Sequence, residues 1–126
     1  MRDRRRLNPR LEIELPAEYR VEVFDEPRPG KIANLSAGGA AVLTERQLPP
    51  HSLLDQFRFS LPDAAAPEPV EATAVVVHAR PYLNDRGGIE YCSGLHFLGL
   101  ETSAFERLER FVRENLDGAA EALLTD

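Results

Sequence analysis

Short apolar–polar alternations, separated by segments rich in glycine, proline or asparagine, constrain the fold of this chain most strongly. Leu11, Ile13 and Leu15 alternate with two glutamates, and the same period returns over residues 19–23. A period of two is that of a strand with one buried face. Similar stretches cover residues 31–35, 40–43, 57–61, 70–80 and 89–98. Because hairpin-type turns separate them, the pattern favours an antiparallel barrel or sandwich over alternating β and α units.

The last quarter of the chain has a different period. Apolar residues recur there at helical spacing, at Phe105, Leu108, Val112 and Leu116, with Phe111 at the margin. Ser103 followed by Glu106 has the form of a capping box, and Asp117-Gly118 is a plausible stop. The pattern predicts a helix over residues 104–116, followed by either one frayed helical turn or an irregular tail.

The distribution of charge narrows the class of ligand. The chain has 15 Lys and Arg residues against 21 Asp and Glu, and residues 1–10 hold five arginines and one aspartate. That segment therefore carries +4, and the remaining 10 basic and 20 acidic residues give the body −10. An acidic body repels a long nucleic acid, which needs an extended basic face. A compact anion held by the basic segment fits this distribution better.

Size and cysteine content predict one intracellular domain. At 126 residues the chain is long enough to bury a core without disulfides. Cys92 is the single cysteine, so a disulfide framework is excluded. No apolar run approaches the roughly 20 residues needed to span a bilayer, and the charged N-terminus lacks the apolar stretch of a secretory signal. We expect a cytoplasmic protein.

Two short stretches carry most of the functional signal. Residues 4–10 read Arg-Arg-Arg-Leu-Asn-Pro-Arg, and residues 34–39 read Asn-Leu-Ser-Ala-Gly-Gly. The first supplies forked cations on a segment that Pro9 keeps from being helical, and the second supplies an amide, a hydroxyl and backbone N–H groups at a turn. With 14 arginines, an Arg-x-x-x-Arg spacing is expected about once or twice by chance, so the second stretch is the more informative.

Taken together and in this order, the two stretches resemble the motifs of the PilZ domain family. That family carries Arg-x-x-x-Arg near its N-terminus and Asp/Asn-x-Ser-x-x-Gly after its early strands. The first is matched by Arg6 and Arg10, and the second by Asn34, Ser36 and Gly39. The resemblance extends to about residue 116 and includes Gly-Leu-His-Phe at residues 94–97.

The resemblance implies a six-stranded antiparallel β-barrel with a C-terminal α-helix. The chain would then divide into a flexible arginine arm, residues 1–10, a barrel plus helix over residues 11–117, and a tail over residues 118–126. The family resemblance also implies a bacterial receptor that binds cyclic di-GMP without catalysis and without a cofactor. With no output domain in the chain, we expect it to act on a partner protein.

The chemistry of this ligand explains the arginines. A guanidinium can bond bidentately to guanine O6 and N7, stack on the purine, and pair with phosphate oxygens. This suits Arg6 and Arg10, and Arg5 could add a phosphate or stacking contact. The sequence leaves open whether one nucleotide or a stacked pair binds, and the arginines before the motif make a pair plausible.

At the second stretch, the resemblance assigns Asn34 and Ser36 to ligand recognition. Asn34 offers one carbonyl acceptor and an amide donor, and Ser36 would bond the base or a phosphate, or else only its own turn. Gly38 and Gly39 would allow positive φ and close approach of the backbone.

Other chemistry is poorly supported by the sequence. The three histidines, His51, His78 and His96, lack metal-ligand spacing, and no P-loop or nucleophile motif is present. Two alternatives to nucleotide sensing remain. One is a barrel that binds only protein, through the helix and tail. The other is a basic arm that binds nucleic acid or a membrane surface, with steep salt dependence.

Overall fold

Six antiparallel strands form a closed barrel that is followed by one helix. The computed structural model describes residues 10–21, 25–62 and 68–125, with side chains described as far as residue 116. The strands are β1 (Leu11–Arg20), β2 (Arg28–Leu35), β3 (Gly39–Thr44), β4 (Leu53–Phe59), β5 (Val70–Leu83) and β6 (Ile89–Gly99), and the helix is α1 (Thr102–Thr125). Around the barrel the strand order is β1-β2-β3-β6-β5-β4. The expected fold is confirmed.

The alternation in the sequence becomes the inside and outside of the barrel. In β1, Leu11, Leu15, Ala17 and Tyr19 are buried, and the residues between them are exposed or half-buried. Phe57, Phe59 and Phe97 meet in the core with ring centroids 5.6–6.5 Å apart. Such aromatic contacts add to the stabilisation from buried area.

The bounds of β2 and β4 differ from prediction because strand pairing overrides local composition. Residues 28–30 were expected in a turn but open β2, where Arg28 pairs with Tyr19 of β1. β4 begins at Leu53 and ends at Phe59, earlier than the predicted Phe57–Leu61, because Leu53 pairs with Val75 of β5. Leu61 is nevertheless buried, beyond the end of the strand.

The helix closes one side of the core. Leu108, Phe111 and Val112 join the barrel's core cluster, as their helical spacing predicts. The helix begins at Thr102, where Phe105 N–H donates to the Glu101 carbonyl at 2.8 Å, so Ser103 lies inside the first turn and the predicted capping box is wrong. The predicted stop at Asp117-Gly118 is also wrong, since the helix continues to Thr125. A glycine inside a helix costs only about 1 kcal/mol, and the alanines and leucines that follow favour the helix.

An ion pair joins β1 to β4 at the end of β1. The Arg20 guanidinium donates from Nη2 to Asp55 Oδ2 at 2.8 Å and from Nε at 3.2 Å. This hydrogen bonding to Asp55 raises the pKa of Arg20 above its usual value. Arg20 therefore has a structural role, in contrast to the arginine at the start of the same strand.

Candidate functional site

The pairing of β1 with β2 places Arg10 beside the second sequence motif. Leu11, the first residue of β1, pairs with Leu35, the last residue of β2. Arg10 precedes Leu11 and Ser36 follows Leu35, so the two lie opposite each other where the strands end. Arg10 is exposed and has no hydrogen bond or ion pair with any described residue. Arg5 and Arg6 lie outside the described residues.

The turn between β2 and β3, residues 36–39, is organised by the Ser36 hydroxyl. We call these four residues the motif turn. The N–H groups of Gly38 and Gly39 both donate to Ser36 Oγ at 3.1 Å, and Ser36 N–H donates to the Gly39 carbonyl at 2.9 Å. The Ser36 hydroxyl also donates to the Gly39 carbonyl at 3.3 Å. Ser36 is buried, so in this state its side chain holds the turn together.

Gly39 is required by contact with the neighbouring strand. A Cβ added at Gly39 would overlap the carbonyl oxygen of Leu95 and lie 3.1 Å from its carbonyl carbon. Among the described glycines, positive φ occurs at Gly87, not at Gly38 or Gly39. The expectation of positive φ in the motif turn is therefore wrong, and close approach to β6 explains the glycine at position 39.

Asn34 presents an unpaired acceptor next to the motif turn. In the sheet, the backbone of Asn34 lies opposite Glu12 of β1 and Ala41 of β3. The register between β2 and β3 is irregular between Ile32 and Asn34. The side-chain Oδ1 of Asn34 is buried and accepts no hydrogen bond from the described residues. A buried unpaired acceptor costs about 1–3 kcal/mol. A hydrogen-bond donor supplied by a ligand would offset that cost.

Strand β6 adds a residue that the sequence motifs do not include. Phe97 N–H donates to the Gly38 carbonyl at 2.9 Å, and the adjacent residue His96 pairs with Gly39. The His96 side chain is exposed, between the buried Leu95 and Phe97. The Gly-Leu-His-Phe stretch belongs to the sequence resemblance, but its contact with the motif turn could not be predicted, because the β3–β6 pairing joins segments almost 60 residues apart.

Acidic residues mark where an anion would not bind. A cavity of about 460 Å³ lies between the outer face of β1 to β3 and the β5–β6 hairpin. Carboxylates of Glu12, Glu14, Asp85 and Glu90 line it, against the single cation of Lys31. Coulomb repulsion disfavours a phosphodiester among these groups. The motif turn beside Arg10 is the better anion site.

The described residues form neither a metal site nor a membrane-spanning helix. Within the described part of the chain, no three His, Cys, Asp or Glu residues are grouped so that they could hold a metal ion. No helix among those residues is long and apolar enough to cross a membrane. Cys92 is a free, half-buried thiol.

Comparison with known proteins gives a family match over most of the chain. The family model for the PilZ domain matches residues 4–114. A search of curated protein sequences finds no significant match.

Several solved structures have a similar fold. The PilZ domain of YcgR from Escherichia coli, solved with c-di-GMP, matches with a TM-score of 0.69 at 14% identity, over 94% of this chain and 97% of that chain. The inhibitor of motility MotI from Bacillus subtilis matches with 0.74 at 22%, over 93% and 54%. The MrkH–c-di-GMP complex from K. pneumonia matches with 0.72 at 19%, over 100% and 56%. The chain spans about half the length of MotI and MrkH.

Proposed function

The chain belongs to the PilZ domain family, and we propose that it is a receptor for cyclic di-GMP. The observation that carries this proposal is the β1–β2 register, which brings Arg10 of the first motif beside the motif turn of the second. Arg10 and the motif turn, more than 20 residues apart in the sequence, thus lie at one end of one strand pair. Their charges and hydrogen-bonding groups complement a ligand with two guanines and two phosphodiesters.

The arginines are proposed to supply the positive charge. Arg10 is exposed and makes no hydrogen bond or ion pair with a described residue, whereas Arg20 at the far end of β1 is held by Asp55. Arg6 would act with Arg10, and Arg5 would add a phosphate or stacking contact. Planar guanidinium groups can bond guanine O6 and N7 in the same plane, which a lysine ammonium cannot do.

The motif turn is proposed to supply a rigid surface for the ligand, and Asn34 beside it one hydrogen-bond acceptor. Asn34 Oδ1 is buried and unpaired among the described residues, so a guanine N–H or 2-amino group would relieve the cost of its burial. Ser36 stabilises this surface because its Oγ accepts hydrogen bonds from the N–H groups of Gly38 and Gly39. Ser36, Gly38 and Gly39 would contact the ligand at this turn, with the Gly39 backbone packed against Leu95.

Signalling is proposed to follow from ordering of the arginine arm over the nucleotide. The arginine arm carries +4 and the body carries −10, and a bound dianion changes that balance locally. A partner protein could recognise the new surface, as in other order–disorder switches. The resulting protein is a cytoplasmic adaptor that binds rather than catalyses, and it needs no metal or cofactor.

Isothermal titration calorimetry tests this proposal. We expect saturable binding of cyclic di-GMP and much weaker binding of GTP and cyclic di-AMP, which offer fewer of the same groups. The titration is repeated at two salt concentrations, because a nonspecific basic arm would bind all three anions with steep salt dependence. Absence of heat with cyclic di-GMP at high protein concentration would refute the receptor function.

A further inference from the structure

His96 lies against the motif turn although no motif contains it. In the β3–β6 pairing, Gly39 and His96 are opposite each other, and Phe97 N–H donates to the Gly38 carbonyl. This hydrogen-bond pattern makes Gly39 and His96 a non-hydrogen-bonded pair, in which Cα atoms are about 4.5 Å apart. The Cα of His96 is 3.4 Å from the point where a Cβ of Gly39 would lie.

The position of His96 is fixed by its neighbours. Leu95 and Phe97 are buried in the barrel core, so the alternation of the strand directs His96 to the outer face. Because Gly39 has no side chain, nothing at that position separates the imidazole from the motif turn. The turn and the imidazole therefore share one surface at the end of the barrel.

The His96 side chain is not held by other described residues. It is exposed and makes no hydrogen bond or ion pair with any described residue. His78, the other histidine on this face, differs because its ring covers Gly94, with Nε2 2.5 Å from an added Cβ at that glycine. Of these two imidazoles, that of His96 is the one positioned to meet a ligand at the motif turn.

We propose that His96 contacts the bound nucleotide and donates a hydrogen bond to one of its acceptors. This inference rests on the proposed function. Guanine O6 and N7 and the phosphodiester oxygens are all acceptors, and an imidazole carries at least one N–H in either protonation state. His96 would extend the site from β1 and the motif turn to β6, giving the nucleotide a third strand to bind.

Substitutions that separate hydrogen bonding from stacking test the inference. Titration of cyclic di-GMP into His96→Ala is expected to show affinity about five- to tenfold lower than wild type. His96→Gln keeps a donor and should remain within about twofold, whereas His96→Phe keeps only the ring and should match His96→Ala. Thermal denaturation of the same variants should stay at the wild-type midpoint, since the side chain is exposed.

His51→Asn is the matched control. His51 lies in the loop after β3, at the end of that strand away from the motif turn, and asparagine tolerates its positive φ of 70°. This variant should bind like wild type. Wild-type affinity in His96→Ala, or rescue by phenylalanine but not glutamine, would overturn the inference while leaving the receptor function intact. No binding by the wild-type chain would instead overturn the proposed function and the inference with it.

Discussion

Replacing Gly39 by alanine is expected to destabilise the barrel more than any other exchange of a described strand glycine for alanine. The added methyl group would overlap the Leu95 carbonyl oxygen and approach the Leu95 carbonyl carbon to 3.1 Å. These are backbone atoms of a central strand, so they cannot rotate away. Either β3 separates from β6 or the motif turn distorts.

The magnitude follows from these two responses. Forcing an extra methyl group into a packed site costs about 1–3 kcal/mol, and a contact with backbone belongs at the upper end. Loss of one hydrogen bond of the motif turn adds about 1 kcal/mol. We therefore expect the free energy of unfolding to fall by about 3–4 kcal/mol, and the melting temperature by roughly 10 °C for a domain of this size.

Gly94 and Gly99, both on β6, supply matched controls for Gly39 on β3. An added Cβ at Gly99 meets nothing within 4 Å, so Gly99→Ala should be neutral or stabilising by up to about 1 kcal/mol. At Gly94 the atoms nearest to the new methyl group belong to the His78 ring, which is exposed and can adopt another rotamer. Gly94→Ala should cost about 0.5–1.5 kcal/mol.

Urea denaturation of the three variants, followed by circular dichroism, measures this order directly. Equal unfolding slopes would show that the same surface is exposed in each variant, so midpoints can be compared. If Gly39→Ala were as stable as Gly99→Ala, the close contact between the motif turn and β6 would be wrong, and with it the placement of His96.

Three further predictions concern single side chains. Arg10→Ala should weaken cyclic di-GMP binding at least about tenfold in calorimetry while leaving the melting temperature unchanged, because Arg10 is exposed and makes no described contact; unchanged affinity would remove Arg10 from the site. Asn34→Ala should weaken binding by a similar factor but leave stability equal or higher by up to about 1 kcal/mol, because it removes an unpaired buried acceptor; a large loss of stability would instead make Asn34 structural. Burial raises the pKa of Tyr19, so its contribution to stability is complete below the unfolded value of about 10 and is lost as pH rises above it. Urea midpoints at pH 9 and 11 should therefore fall less in Tyr19→Phe than in wild type, and an equal fall would contradict this.

Local sequence patterns predicted the strands because one face of each is buried. The alternation of Leu11 to Leu15 gives the inward face of β1 directly. Local patterns failed where pairing between distant segments determines the strand boundary. The composition around Arg28 predicted a turn, but its pairing with β1 makes it the first residue of β2. They failed again at Gly118, where one unfavourable residue was too small a cost to end the helix.

The candidate site was predictable in its motifs but not in its surroundings. The order of the two motifs indicated a shared site, and the register places Arg10 opposite Ser36. The need for glycine at position 39 comes from the Leu95 carbonyl, which belongs to a strand far along the chain. The Gly-Leu-His-Phe stretch was visible in the sequence, but only the non-local β3–β6 pairing places His96 beside the motif turn.

Nuclear magnetic resonance titration of the wild-type chain with cyclic di-GMP tests the central claim most directly. If the nucleotide binds across the end of β1 and the motif turn, amide shifts should be largest at Arg10, Asn34 and the motif turn, with smaller shifts at His96. Resonances of Arg20 and Asp55, which form an ion pair at the other end of β1, should remain in place. Saturating shifts confined to the acidic cavity lined by Glu12 and Glu90, or no shifts at all, would contradict the proposed site.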